Sequence, residues 1–378
     1  MNKFIAVMIF VFLSSCAKDL YVQSTPGLCN EGDSVNTFSK SEGLQELLNK
    51  ATNSGLAGVS LVLQDSKGAY FYGNAGKADL HSNIDINKCQ QFRVASLTKV
   101  FTAVGIMMMV EQEKLSLDTP IDQILLPEVL RDIKRANEAT VRNLLNHTSG
   151  IANYDDNPNF ALQILNEPGK RISLMEKLDL IRGQGAVPAE VVERYGSIYS
   201  NTNYLLLELI LEKISEQEYE DFVRLKILGP LQLDHTVFST EKPYPANLAR
   251  GYIDFYDKGV LRDVSEWDAQ RFNGEGSIIS TSLDIFIFFK SLLEGQLLEN
   301  KTLAAMEADA LGLLKEVYQD ELLIGHDGQA IGYSAEMWFL KERELLVVLL
   351  ANQGRITDDQ SSIQSYEKLL TDIIDLAK

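Results

Sequence analysis

The hydrophobic and polar positions divide this chain into an apolar leader, a helix-rich middle and two β-rich ends. From Phe4 to Leu13 the apolar residues form an unbroken run behind the positive charge of Lys3, too short to span a bilayer as a stable helix, and Leu13-Ser14-Ser15-Cys16 follows at once. Residues 17 to about 38 are polar and contain Pro and Gly, the composition of a tether. Ser39 with Glu42 then has the form of a capping box, predicting a helix through Ala51 that Gly55 closes. Two runs rich in β-formers, Val59 to Leu63 and Tyr70 to Tyr72, flank a turn at Lys67-Gly68.

From Phe101 to roughly Leu311 the pattern is mostly amphipathic helix, interrupted by loops such as Asn153 to Asn159 and Ala186 to Ser197. Strand signals return only near the C-terminus. There Glu336 to Leu340 and Leu345 to Leu350 flank a charged turn at Lys341 to Glu344, and Ile363, Tyr366, Leu370, Ile373 and Ala377 mark one face of a final helix. The two ends are therefore expected to share one sheet, an α+β arrangement. There is no internal repeat, low-complexity tract or second transmembrane segment.

The leader resembles a bacterial lipoprotein signal. The resemblance implies removal of residues 1–15, lipidation of Cys16, a tether over 16–38 and a domain over 39–378, with export to the cell envelope and a lipid anchor in the membrane. An ordinary secretory signal, with Cys16 incidental, is the alternative, and it also leads out of the cytoplasm. Of the three cysteines, Cys29 and Cys89 remain as an even pair that could close a disulfide in an oxidising compartment or stay as two free thiols.

The composition, 378 residues with 45% hydrophobic and 23% charged, is that of a globular protein with a substantial core. A net charge of -18 argues against nucleic acid as a partner, since backbone binding needs a basic surface. Neither CxxC nor HExxH occurs, and the histidines at 81, 147, 235 and 326 are far apart in sequence, so a metal site is not expected.

Ser96-Leu97-Thr98-Lys99 opens the apolar stretch Val100 to Val110. If this is a helix, Ser96 and Lys99 share a face at its N-terminal end, where an amine can take up the serine proton and free backbone N–H groups face a forming anion. Tyr199-Ser200-Asn201, just before an apolar helix at Leu205 to Ile214, presents a phenol and a carboxamide on one side of an extended loop. His326-Asp327-Gly328 follows Leu322-Leu323-Ile324 and is expected on a strand edge, where backbone N–H groups can face a substrate. Leu144 to Gly150, with His147 and Ser149, reads as a helix end capped by Gly150.

In combination these segments, with Phe92 to Lys99 and Gly274-Glu275-Gly276-Ser277-Ile278-Ile279-Ser280-Thr281, resemble the serine β-lactamase and penicillin-binding protein superfamily, on the branch of class C β-lactamases and D-Ala-D-Ala carboxypeptidases. The resemblance covers roughly residues 40 to 378. It implies a β-lactamase/transpeptidase-like fold, an antiparallel sheet flanked by helices with an all-helical insert, and a cleft where they meet. It further implies Ser96 as nucleophile, Lys99 as its proton-accepting or electrostatic partner, Tyr199 as general base and later acid, Asn201 as a donor to the acyl side chain, and substrate contacts from His326, Asp327 and Gly328. The oxyanion hole would be the backbone N–H groups of Ser96 and Gln329. Whether Lys99 or Tyr199 takes the proton stays open, and no cofactor is implied.

The chain departs from its better-known relatives at the middle of the third motif, where Asp327 stands in place of threonine. An ionised Asp327 pointing into the site would repel a substrate's free carboxylate, partly offset by His326 if that imidazole gains charge below about pH 6.5. Arg355, after Leu349-Leu350-Ala351-Asn352, is a candidate to restore positive charge. The expected function is an envelope-anchored serine hydrolase working through an acyl-enzyme on D-amino acid cell-wall peptides, such as peptidoglycan stem peptides, or on small esters and amides. The alternatives are a class C-like β-lactamase and a catalytically inactive surface protein that only binds peptide.

Overall fold

The computed structural model describes residues 36–267, 273–355 and 361–378. The expected leader, residues 16–35 of the expected tether with Cys16 and Cys29, and the side chain of Ile363 lie outside what is described. The last tether residues, 36–38, belong to the domain instead: Phe38 is buried, and Thr37 N–H donates to the Tyr70 carbonyl. The described residues form one compact unit.

The first helix, α1 (Ser41–Asn53), starts one residue later than the capping-box pattern predicts, and its N-cap is Lys40 with no side-chain cap. Strands β1 (Gly58–Gln64), β2 (Tyr70–Asp79) and β3 (Ile84–Asp85) follow, and α2 (Thr98–Glu111) begins after the expected nucleophile segment. The C-terminal part contributes β4 (Leu314–Tyr318), β5 (Glu321–Ala330), β6 (Tyr333–Leu340), β7 (Leu345–Ala351) and a last helix, Ser361–Leu376. Together the strands form an antiparallel sheet of seven in the order β3-β2-β1-β7-β6-β5-β4. The first long strand pairs directly with the last, Val59 opposite Ala351 through Gln64 opposite Leu346. The chain ends thus share one sheet, as the pattern predicts.

β1 and β7 read as continuous apolar runs because both faces of the sheet are covered. Successive side chains alternate between faces. Leu61, Leu63, Trp338, Val347 and Leu349 pack with α1 residues Leu44 and Leu48 and with Tyr366 and Ile373 of the last helix. Val62, Ala335, Met337, Val348 and Leu350 face the other way, into the core shared with the helical region. At the centre of that region, α2 is buried nearly all round and crosses Asn201–Ser215, the helix that follows Tyr199. Gly105 permits the close approach, since a Cβ there would fall 2.8 Å from Leu211 Cδ2.

The middle is not purely helical. Phe92–Arg93, Val237–Phe238 and Ile278–Ser280 make a three-stranded sheet, and Tyr252–Ile253 pairs with Arg262–Asp263. Strands of two or three residues are too short to display a period of two, so the pattern could not announce them. The expected loops also contain structure: Tyr154–Asp156 is a single 3-10 turn, Pro158–Asn166 is helical, and so is Ala189–Tyr195.

Candidate active site

Ser96 lies in a 3-10 turn, Ala95–Leu97, that runs directly into α2. Ala95 has φ 49°, a left-handed conformation that costs a residue with a Cβ about 1 kcal/mol or more. The turn is stapled from below: Val94 N–H donates to the Ile278 carbonyl, Ile278 N–H donates to Thr98 Oγ1, and Thr102 Oγ1 donates to the Gly274 carbonyl at 2.7 Å. The short strand Phe92–Arg93 therefore has a positional purpose, holding the Ser96 turn against the segment after Glu275.

Lys99 Nζ is fully buried, 2.9 Å from Ser96 Oγ and 2.7 Å from the Glu275 carbonyl. The Tyr199 hydroxyl reaches the same Ser96 Oγ at 2.8 Å, and the Lys99 ammonium stands 5.1 Å from the centre of the Tyr199 ring. Three residues that the sequence spreads over more than a hundred positions thus meet at one oxygen.

On the sheet side, β5 pairs with β4 only as far as Gly325 opposite Leu314. Hydrogen-bonded pairs alternate along an antiparallel strand, and the tight turns at Gln319-Asp320 and Ile331-Gly332 fix the phase. Residues 322, 324, 326, 328 and 330 bond to β6, whereas Asp327 and Gln329 turn their N–H groups to the edge that β4 has left open. The expected strand edge is present, and the Gln329 N–H faces the cleft. Gly328 allows the strand to sit this close to the serine turn, because a Cβ there would be 2.4 Å from the Val94 carbonyl oxygen.

His326 and Asp327 point to opposite faces of β5. His326 is buried on the serine side, 6.3 Å between its ring centre and that of Tyr199, and its Nδ1 donates to the Asp327 carbonyl at 2.5 Å. Burial, opposed by the charge of Asp327 and reinforced by that of Lys99, lowers its pKa to about 4. The expectation that His326 gains charge below pH 6.5 is therefore corrected: desolvation keeps it neutral well below that. The Asp327 carboxylate is at the rim instead, 40% exposed, directly across from Glu336 on β6. Burial, then the charge of Asp327, holds Glu336 well above the usual carboxylate range, and Trp338 Nε1 donates to it at 2.6 Å.

Asn201 differs from expectation in detail. Its Nδ2 donates to Asp155 Oδ2 and its N–H to Asn153 Oδ1, while its Oδ1 is buried with no hydrogen-bond partner among the described residues. As placed, the carboxamide offers a substrate an acceptor as well as its second amide hydrogen.

Ser96, Tyr199 and Asn201 border a cleft of about 870 Å³ that also takes in Asp155, Asp156, Asp327, Gln329 and Arg355, whereas His326 and Gly328 are not part of its lining. Arg355 does reach the cleft, where its Nη1 lies 3.5 Å from Glu367. Ile164, Leu165, Ile253, Phe255, Trp267 and Ile331 supply an apolar wall.

Two contributors escaped the sequence reading. His147 does not belong to a helix end capped by Gly150; the helix stops at Leu145, and His147 itself takes the left-handed conformation, φ 59°. Its ring stacks on Tyr199, and its Nδ1 accepts the Ser200 N–H at 3.1 Å. Burial first, then Lys99 and His326, push its pKa well below 6.5. Glu275 contributes its carbonyl to Lys99, from a motif whose residues suggested no role. Cys89 is disulfide-bonded. Among the described residues no cluster of three His, Cys, Asp or Glu side chains could hold a metal ion.

A profile described as Beta-lactamase matches residues 44–369. The chain belongs to the Beta-lactamase family. This member of the family is a serine hydrolase, and its fold agrees with that of solved relatives. The D-amino acid amidase from Ochrobactrum anthropi SV3, in complex with L-phenylalanine amide, superposes with a TM-score of 0.78 at 26% identity, over 89% of this chain and 97% of that one. A penicillin-binding protein of Bacillus subtilis (strain 168) is 24% identical over 329 residues, 79% of this chain and 69% of that protein. The teichoic acid D-alanine hydrolase of Staphylococcus aureus is 23% identical over 210 residues, 56% of this chain and 48% of that protein.

Proposed function

We propose that this hydrolase cleaves peptides, amides or esters of D-amino acids through an acyl-enzyme on Ser96, with cell-wall stem peptides first among its substrates. The observation that carries this reading is the convergence of Lys99 and Tyr199 on Ser96 Oγ, at 2.9 and 2.8 Å, beside the unpaired edge of β5. Ser96 Oγ attacks the substrate carbonyl while its proton passes to Lys99 or Tyr199. The oxyanion sits between the N–H groups of Ser96 and Gln329. Collapse breaks the bond to the amine or alcohol, which leaves with a proton from Tyr199, and water attacks the acyl-enzyme by the reverse proton path. A free phenol titrates near pH 10, so phenolate at neutral pH depends on the adjacent Lys99 ammonium.

The D-amino acid preference draws on the names of relatives, a D-amino acid amidase and a D-alanine hydrolase. The apolar wall of the cleft suits a hydrophobic acyl side chain; Asp327 at the rim is half-exposed, so its screened charge weakens but does not bar the binding of a free terminal carboxylate, and Arg355 lines the same cleft. Intact-mass measurement after incubation with a D-Ala-D-Ala peptide, D-phenylalanine amide, a penicillin and a p-nitrophenyl ester tests the reading. An adduct on Ser96 with turnover of the D-substrates is expected. A long-lived penicillin adduct without turnover of any substrate would leave the inactive binder.

The leader supports a further proposal, a lipid anchor at Cys16 that holds the enzyme in the bacterial envelope. Expression in a Gram-negative host should give a membrane-associated form with the mass of an added lipid. Cys16→Ala should abolish both, and unchanged fractionation would remove the anchor.

A further inference from the structure

Directly beneath the catalytic lysine lies a second group of charges that the hydrolytic steps do not use. Glu275 and Lys177 are both fully buried, their Oε1 and Nζ 2.5 Å apart. Lys177 also donates to Asn273 Oδ1 at 2.9 Å, and the Tyr154 hydroxyl donates to Glu275 Oε1 at 3.0 Å. From the other side, Glu208 accepts the Gly274 N–H at 2.5 Å and Asn273 Nδ2 at 3.0 Å. Every residue from 273 to 275 is thereby held by a buried side chain, although the segment itself has no regular structure.

A buried ion pair is a weak source of stability, because desolvating two charges cancels most of their attraction, so its presence in a core calls for another reason. Geometry supplies one. The carbonyl of Glu275 accepts from Lys99 Nζ at 2.7 Å, and the carboxylate of the same residue is the terminus of the Lys177 pair. Tyr154, which also binds that carboxylate, stands between Asn153 and Asp155, the two residues that hold Asn201. One side chain therefore ties the segment behind the lysine to the wall that carries the Asn201 carboxamide.

We infer that Glu275 and Lys177 are positioning residues that set the place and the charge state of Lys99 in the attack by Ser96. The inference rests on the Ser96 acyl-enzyme reading above. The groups facing Lys99 include Ser96 on its own turn, the rings of Tyr199 and Tyr204 with centres at 5.1 and 5.5 Å, and the Glu275 carbonyl from below. The charge of Lys99 also reaches His147 beyond Tyr199 and His326 on β5, both held neutral mainly by burial. Burial pushes the Glu275 carboxyl up, but Lys177 and, more weakly, Lys99 pull it below its ordinary value, so it is ionised. Removing its charge leaves Lys99 without that support and favours the neutral amine at lower pH.

The experiment follows the rate at which a fluorophosphonate labels the purified full-length protein, as a function of pH, per molecule shown to be folded by circular dichroism. Glu275→Gln is the first variant. Lys177→Gln combined with Glu275→Gln is the second, because it leaves no unpaired buried charge and is available if the single variant does not fold. Glu275→Gln keeps the side-chain shape, and Lys177→Gln shortens its side chain by one bond. Each is expected to lower the limiting labelling rate by about tenfold or more, and to move the midpoint of its pH profile by about half a unit or more, toward lower pH in the single variant. Anything less in the folded variant, a smaller loss or a fixed midpoint, overturns the inference, since a merely structural pair changes the folded fraction and neither of these quantities. Wild type and Ser96→Ala serve as the control on the reading beneath it. If wild type is not labelled, or Ser96→Ala is labelled equally, the acyl-enzyme assignment fails and not the positioning role.

Discussion

The imidazole of His147 lies face to face with the phenol of Tyr199, 4.4 Å between ring centres and 29° between planes. Tyr199 is 39% exposed, and this contact adds to the bond to Ser96 in holding its ring in place. The imidazole is neutral, and its Nδ1 fixes the Ser200 backbone one residue further on. Replacing His147 by Ala should free the Tyr199 ring and lower kcat by about ten- to a hundredfold, with a smaller effect on KM. Steady-state kinetics on a p-nitrophenyl ester would check it, and an unchanged kcat would mean that Tyr199 is held by other contacts.

Ser96→Ala should abolish covalent labelling and lower turnover by roughly three orders of magnitude or more, with the thermal transition intact. The hydroxyl is lost from a residue already 8% exposed, and the turn around it is held by backbone bonds. Equal labelling of wild type and variant would remove Ser96 from the mechanism.

Glu208 gives the stability a pH dependence of known sign. Its pKa is pushed up from 4.5 to about 8 by burial and by the nearby Glu275. The folded chain therefore keeps a proton that the unfolded chain has lost between those values. This contribution to stability is complete below pH 4.5 and is lost as pH rises through 8. Glu208→Gln, which cannot ionise, should match wild type near pH 4.5 and exceed it in melting temperature by roughly several degrees near pH 8.5. Scanning calorimetry at both pH values decides it; a gap that does not widen with pH would contradict the raised value.

Asp327 should act on substrate choice from the rim. Half-exposed and on the face opposite His326, it can oppose a free carboxylate only through partly screened charge. Asp327→Thr is expected to raise kcat/KM for D-Ala-D-Ala peptides or penicillins by about three- to tenfold relative to neutral esters. Because His326 stays neutral to about pH 4, the wild type's preference should not narrow between pH 7 and 6. A preference that narrows over that range would show the imidazole charging despite its burial.

Much of this architecture was legible in one dimension. The apolar runs at Val59 to Leu63 and Leu345 to Leu350 predicted strands from opposite chain ends, and they pair in register. Ser96 and Lys99 were findable because three residues at the start of a helix fix a distance locally. Tyr199, Asn201 and His326 were findable only in combination, as motifs in family order, since nothing in the spacing of Tyr199 from Ser96 requires them to touch.

The amino-acid sequence by itself determined the main strands of the sheet, the buried central helix and the side-chain chemistry of the candidate site, because hydrophobic period and residue chemistry are local properties. Tertiary structure alone decided the environment of those groups. It placed His326 inward and Asp327 outward by the alternation of β5, and it turned the Gln329 N–H to an edge that β4 leaves open. It also joined Lys177 to Glu275 across 98 positions. Ionisation and hydrogen bonding depend on burial and on partners brought together by packing, and a linear pattern carries neither.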